Sequence, residues 1–140
     1  MSWHQAELRL KPRPRGIHLV TDEILAALPQ VREFRVGLLT LFIQHTSASL
    51  SINENADPEV RGDMERWLDR VIPEDAPYFV HTAEGADDMP AHLKTAILGT
   101  TVTIPIRNGR LALGTWQGIY LGEHRDSGGA RLVLATMYGE

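Results

Sequence analysis

The chain has 140 residues, a formal charge of −4 and no cysteine. That length suits one domain with a core of its own, and the lack of thiols excludes a disulfide framework and thiolate chemistry. The acidic balance disfavours general nucleic-acid binding. No apolar run reaches the roughly 18 residues of a membrane span, and the first residues carry no signal-peptide pattern, so a cytoplasmic location is expected.

Trp3 to Leu10 alternates loosely and reads as a strand, and Gly16 to Val20 as a short second one. Between them, KPRPRG (11–16) is a proline-stiffened loop, open either to solvent or to an anion or partner contact. Thr21 is placed to cap a short helix, Asp22 to Leu28, which Pro29 ends. RVGLLTLFIQ (35–44) is nearly continuous in apolar residues and predicts a buried central strand. From Ser47 to Ile52, serine alternates with Ala48, Leu50 and Ile52, as in a half-buried strand.

Asp57 directly before Pro58 supplies a cap acceptor and a proline for the first helical position. Val60, Met64, Trp67, Leu68 and Val71 then recur on one helical face until Pro73 stops the helix. A PEDAP linker leads to Tyr78–Thr82, and a further helix is predicted from near Pro90 to Leu98, with Gly99 past its end. TVTIPIR and RLALG flank Asn108-Gly109, the pair that a type I′ hairpin turn demands. Gly118 to His124 and Arg131 to Tyr138 read as another strand pair, joined through RDSGG. The expectation is an α+β fold, mostly antiparallel, with about seven strands and about three helices in a single domain, residues 1–140.

Polar chemistry gathers in three places. In GTWQGIYLGEHR (114–125), regular extension puts Trp116, Gly118, Tyr120, Gly122 and His124 on one face. Its glycines leave room for a ligand or another backbone. In HTSASLSINENADP (45–58), His45 ends an apolar strand, as a satisfied structural residue or a ligand. Asp57 is explained by capping and Asn55 by turn chemistry, while Glu54 has no evident local duty. In HTAEGADDMPAH (81–92), acidic residues before a helix favour its dipole. Asp88 and His92 meet there only if the helix already includes Asp88, and Pro90 argues for a later start. Any metal must be held by His, Asp or Glu assembled by the fold, because no HExxH motif is present. GxGxxG, P-loop and GxSxG signatures are absent too.

HTSASLSINENADPEVRGDM (45–64), HTAEGADDMPAHLK (81–94) and IPIRNGRLALGTWQGIYLGEHRD (104–126) together resemble the YjbQ-like family, in register over essentially the whole chain. Members of that family are often labelled secondary thiamine-phosphate synthases. The resemblance implies a compact α+β subunit with a β-sandwich-like core, a homotrimer, and polar pockets near subunit boundaries. It places functional weight on His45, Glu54, Asn55, Asp57, Asp88, His92, Gln117, Glu123, His124 and Arg125. With it, His45, His92 and His124 become the expected ligands of a divalent metal, zinc favoured.

The expected site has Glu54, Asp57 and Asp88 as catalytic carboxylates. Asn55, Arg110, Trp116, Gln117, Glu123 and Arg125 surround a small anionic or phosphorylated ligand. Arg110 and Arg125 suit phosphate oxygens, Trp116 or Tyr120 can stack on a heteroaromatic ring, and Glu54 can act as general acid or base. Thiamine-phosphate synthesis releases pyrophosphate, and such chemistry prefers magnesium held by oxygen ligands, whereas three imidazoles suit zinc. Zinc-assisted hydrolysis fits the same inventory. A non-catalytic trimer holding a metal or a small anion is the remaining alternative.

Overall fold

In the computed structural model, which describes residues 1–140, the strands are β1 (Ser2–Leu10), β2 (Gly16–Leu19), β3 (Val36–Ile43), β4 (Ala48–Glu54), β5 (Thr101–Arg107), β6 (Arg110–Leu111), β7 (Gln117–Glu123) and β8 (Arg131–Gly139). The helices are α1 (Thr21–Ala27), α2 (Pro58–Val71) and α3 (Asp88–Leu98), with a 3-10 turn at Pro29–Glu33. Two antiparallel sheets form, in the orders β1-β8-β3-β5-β6 and β2-β7-β4. The α+β, mostly antiparallel architecture is as the sequence predicts.

Alternation explains the layering. Leu39, Leu41 and Ile43 of β3 and Val133, Ala135 and Met137 of β8 point inward. They meet Leu50 of β4 and Ile119 and Leu121 of β7 in one core. The smaller sheet is buried on its second face as well, where Tyr120 packs with Leu68 and Ile72 of the α2 segment and Leu93 and Leu98 of α3. Burial on both faces is why β7 reads as nearly continuous apolar sequence. The outer face of the five-stranded sheet has no helix over it and exposes Trp3, Leu38 and Phe42.

Several local expectations are corrected. β7 and β8 do not pair with each other. β7 lies between β2 and β4, and β8 between β1 and β3, so the RDSGG loop crosses from one sheet to the other. Thr21 does not cap α1: its Oγ1 accepts the Ile119 backbone N–H at 2.8 Å, tying the helix start to β7. α2 buries Leu68 and leaves Trp67 and Val71 exposed, because the covered stripe centres on Leu68 and Ile72. α3 begins at Asp88, with Pro90 third in the helix, where its missing N–H costs no intrahelical bond. KPRPRG is bound down: Arg13 pairs with Glu23, and Arg15 lies between Glu74 at 2.9 Å and Asp126 at 3.3 Å.

Candidate metal centre

α3 builds the site. Its first turn carries Asp88, and one turn later comes His92, so both side chains share a face. The buried Asp88 carboxylate is the hub. Its Oδ2 lies 2.6 Å from His81 Nε2 and 3.1 Å from His92 Nε2, and its Oδ1 accepts from Arg125 Nη1 at 2.6 Å. His81 comes from the irregular segment between α2 and α3, Arg125 from just past β7. Arg125 also donates to Asp87 Oδ2 at 2.9 Å and to the Glu84 carbonyl at 3.0 Å. Asp87 therefore serves Arg125 and the Asp126 N–H instead of capping α3.

The electrostatics follow from this packing. Burial pushes the Asp88 carboxyl up, but the hydrogen bond from His81 and the charges of His92 and Arg125 outweigh it and hold the group below its ordinary range. The hydrogen bond to Asp87 leads the causes that raise Arg125 further. The ion pair is permanent at neutral pH, and it orients Asp88.

The hydrogen bonding of His92 carries more information. Nδ1 lies 3.0 Å from the Thr46 carbonyl, which can only accept, so Nδ1 bears the proton. In the neutral ring, Nε2 is then a lone pair aimed at Asp88 Oδ2, two acceptors face to face. Only a proton on Nε2 or a cation beside both atoms makes that approach favourable. An Nδ1–H fixed by a backbone carbonyl is also how metal-ligating imidazoles are usually held. The ligand atoms of His81, Asp88 and His92 all lie within 4.8 Å of one another. Tetrahedral zinc with bonds of roughly 2.0 Å separates its ligand atoms by about 3.3 Å. Two imidazoles and one carboxylate, with His81 and His92 partly exposed, match a three-ligand set that leaves a coordination position open.

The expected three-histidine set is not assembled in this way. His45 turns its Nε2 to the Leu132 N–H at 2.8 Å and has Arg131 Nη1 3.2 Å from Nδ1, so both nitrogens face donors of β8. Burial, then the charge of Arg131, lowers its pKa. His124 is fully buried with Nε2 2.8 Å from Ser49 Oγ and no partner for Nδ1. Burial, followed by the charges of Lys94, Arg131 and Arg15, brings its pKa down to about 3, so the ring is neutral. His81, present in the 81–92 cluster, is the histidine that joins Asp88 and His92, while His45 and His92 share only the lining of a shallow cavity with Thr46 and Thr95.

The other expected residues separate along β4 and β7. β4 pairs Glu54 with Gln117 at one end and Ala48 with Glu123 at the other. Seven residues at a rise of ~3.3 Å put those ends about 20 Å apart. Glu54, Asn55, Asp57, Trp116 and Gln117 therefore lie together at the end away from His92. There Asp57 caps α2 by accepting the Glu59 N–H at 2.9 Å. Glu54, which showed no local duty in the sequence, accepts the Asp57 N–H through Oε2 at 3.3 Å. Asn55 donates to the Thr115 and Gln117 carbonyls, Gln117 accepts the Gly114 N–H, and Trp116 is exposed before β7 begins.

Glu123 is corrected from ligand contact to structural anchor. It is fully buried, with Oε1 and Oε2 accepting from Arg131 at 2.7 and 2.6 Å. The glycines of β7 accommodate the protein itself. A Cβ on Gly118 would lie 2.6 Å from Leu19 Cδ2, and one on Gly122 would be 2.7 Å from the His124 ring and would overlap Ser49 Oγ. Arg110 stands apart from both ends, on the β5–β6 hairpin. Arg131 and the buried Lys94, bonded to Asp69 at 2.8 Å, carry no signal as site residues in the sequence, whereas Ser49 belongs to the hydroxyl-rich stretch after His45. Lys94 shares a helical face with Ala91 and Leu98, which was its only signal.

The model of the family described as UPF0047 protein YjbQ-like matches residues 6–140. The UPF0047 protein YjbQ of Escherichia coli O157:H7 is 54% identical over 138 residues, covering 99% of each chain. Among solved structures, an uncharacterized conserved protein of the yjbq/upf0047 family from Clostridium acetobutylicum superposes with a TM-score of 0.81 at 36% identity, over 93% of this chain and 97% of that one. A YbjQ-like protein of unknown function from Sulfolobus solfataricus P2 superposes with a TM-score of 0.85 at 22% identity, over 99% of each chain, a likeness of fold.

Proposed function

The chain belongs to the UPF0047 YjbQ-like family, and on that footing we propose that it is a cytoplasmic metal-dependent hydrolase of small phosphorylated substrates. His81, Asp88 and His92 hold one divalent cation, zinc favoured. The carrying observation is the approach of His92 Nε2 to Asp88 Oδ2, which, with Thr46 holding the proton on Nδ1, requires a second proton or a cation at Nε2; the proposal takes the cation. A bound divalent cation supplies Lewis acidity toward water and toward an anionic substrate oxygen. The protein's own part is orientation: the Thr46 carbonyl sets the His92 tautomer, and Arg125 locks the Asp88 carboxylate through Oδ1 while leaving Oδ2 to the centre. Imidazole-rich ligation favours hydrolysis over thiamine-phosphate synthesis, whose diphosphate leaving group calls for magnesium.

The test is elemental analysis of tag-free protein with its His81→Ala, Asp88→Asn and His92→Ala variants, followed by hydrolysis of simple phosphate monoesters by the zinc-loaded chain. Metal lost from all three variants together with turnover supports the reading. Metal without turnover leaves the non-catalytic metal-binding reading. No metal after zinc has been supplied ends both.

Self-association as a homotrimer is part of the same proposal. In register across four strands, Trp3, Tyr138, Leu38 and Pro105 form an apolar row on the uncovered face of the larger sheet, where Phe42 is exposed as well, beyond a row of threonines. Uncovered apolar rows of this kind favour a protein partner. Light scattering on the chain and on Leu38→Glu tests it: a trimer that the substitution dissociates is the expected result.

A further inference from the structure

The largest groove in the molecule, about 770 Å3, lies away from the metal centre. It runs between the end of α1, the 3-10 turn and the β5–β6 hairpin. Leu25, Leu28, Val31, Leu111 and Leu113 make an apolar floor, and Arg32 and Arg110 stand on the rim. Its volume falls within the ordinary range of small-molecule sites, about 300–1,000 Å3.

The walls are fixed to each other. Asn108 and Gly109 both have positive φ, 51° and 75°, as the type I′ turn requires. Their N–H groups donate to the Arg35 and Phe34 carbonyls, both at 2.7 Å. A Cβ on Gly109 would come within 3.0 Å of the Arg32 carbonyl oxygen, so only glycine lets the turn close onto the 3-10 segment. The groove is thus pre-formed.

Its charge is unbalanced. Arg13, Arg15, Arg35, Arg66, Arg125 and Arg131 all pair with carboxylates. Arg32 and Arg110 have no such partner; Arg9, Arg61, Arg70 and Arg107 lack one as well, but only Arg32 and Arg110 of these line the groove. An anion between these unpaired guanidinium groups satisfies their donors.

We infer that this groove binds a small amphipathic anion: an aliphatic or aromatic body on the leucine floor, with a carboxylate or phosphate head on Arg32 and Arg110. The inference is independent of the metal centre. It is tested by titrating the full chain with octanoate, octyl phosphate, octanol and inorganic phosphate while following backbone amide signals. The two octyl anions should shift Leu28, Val31, Gly109 and Leu111 saturably, and the tighter of them names the preferred head. Octanol and inorganic phosphate should each bind far more weakly, since one lacks the charge and the other the body. Reversing both charges, Arg32→Glu with Arg110→Glu, should weaken binding by at least about tenfold with an unchanged melting temperature. The paired Gln variants report charge removal without reversal. Shifts confined to other regions, equal binding of octanol, or an affinity indifferent to both variant pairs would overturn the inference.

Discussion

Asp88 Oδ2 stands 3.1 Å from His92 Nε2 while His92 Nδ1 is held by a backbone carbonyl. One imidazole is thereby committed, by a proton it cannot give up to Thr46, to present its other nitrogen to a carboxylate. If a cation resolves that approach, tag-free protein supplied with zinc should retain about one equivalent per chain. His45→Ala should retain it as well, because both nitrogens of His45 face β8. Equal loss in His45→Ala and His92→Ala would show that the ligand set is drawn from elsewhere.

His124 should impose a pH dependence on stability. Its folded pKa, about 3, lies below the unfolded value near 6.5. Between those values the unfolded chain binds the extra proton, so stability is full above the unfolded pKa and falls as the pH drops toward the folded one. The slope from one such group approaches about 1.4 kcal/mol per pH unit. His45 is lowered too and adds to it, whereas Glu65, raised by burial, tilts the balance the opposite way. Urea unfolding of the parent and of His124→Asn between pH 7 and roughly pH 5 checks this, the variant giving the shallower slope.

Breaking the Glu123–Arg131 pair from one side should be severe. Glu123 is fully buried, Arg131 nearly so, and the guanidinium meets both carboxylate oxygens. Glu123→Ala leaves a buried, unpaired guanidinium and should cost about 3–5 kcal/mol in chemical denaturation. Gly128→Ala should act through the same pair, since a Cβ there would sit 2.6 Å from Arg131 Nη2. A loss below about 1 kcal/mol in Glu123→Ala would mean that water reaches the pair.

Asp57 and Glu54 should matter to folding and not to the metal. Asp57→Ala removes the α2 cap and should cost about 1 kcal/mol. Both variants should keep the parent's metal content and any phosphate ester turnover, being about 20 Å away along β4. Loss of turnover in Glu54→Ala at full metal occupancy would show that this distance is bridged, by a neighbouring subunit.

The sequence by itself determined what depends on neighbours in the chain. Asn108-Gly109 makes a hairpin because only certain residues tolerate positive φ. Asp57-Pro58 starts a helix because a side-chain acceptor and a fixed φ suit its first turn. The apolar run of β3 predicts a buried strand, but only Leu39, Leu41 and Ile43 meet the opposing sheet, while Val36, Leu38 and Phe42 face outward on the side that nothing covers. Asp88 and His92 were legible as a pair except for where α3 begins, and Pro90 proved compatible with an earlier start.

Only the tertiary structure decided which side chains share a site. Strands β7 and β8 look like a hairpin locally, but the burial of both faces of β7 sends them to different sheets, with Gln117 and Glu123 at opposite ends of one strand beside different ends of β4. It also seals His124 and Glu123 inside and leaves His81, from an irregular segment, to join Asp88 and His92. Turn and cap energies are set by a few adjacent backbone groups. Site membership is set by which whole faces the sheets and helices bury, a balance over the entire chain that no short stretch of it contains.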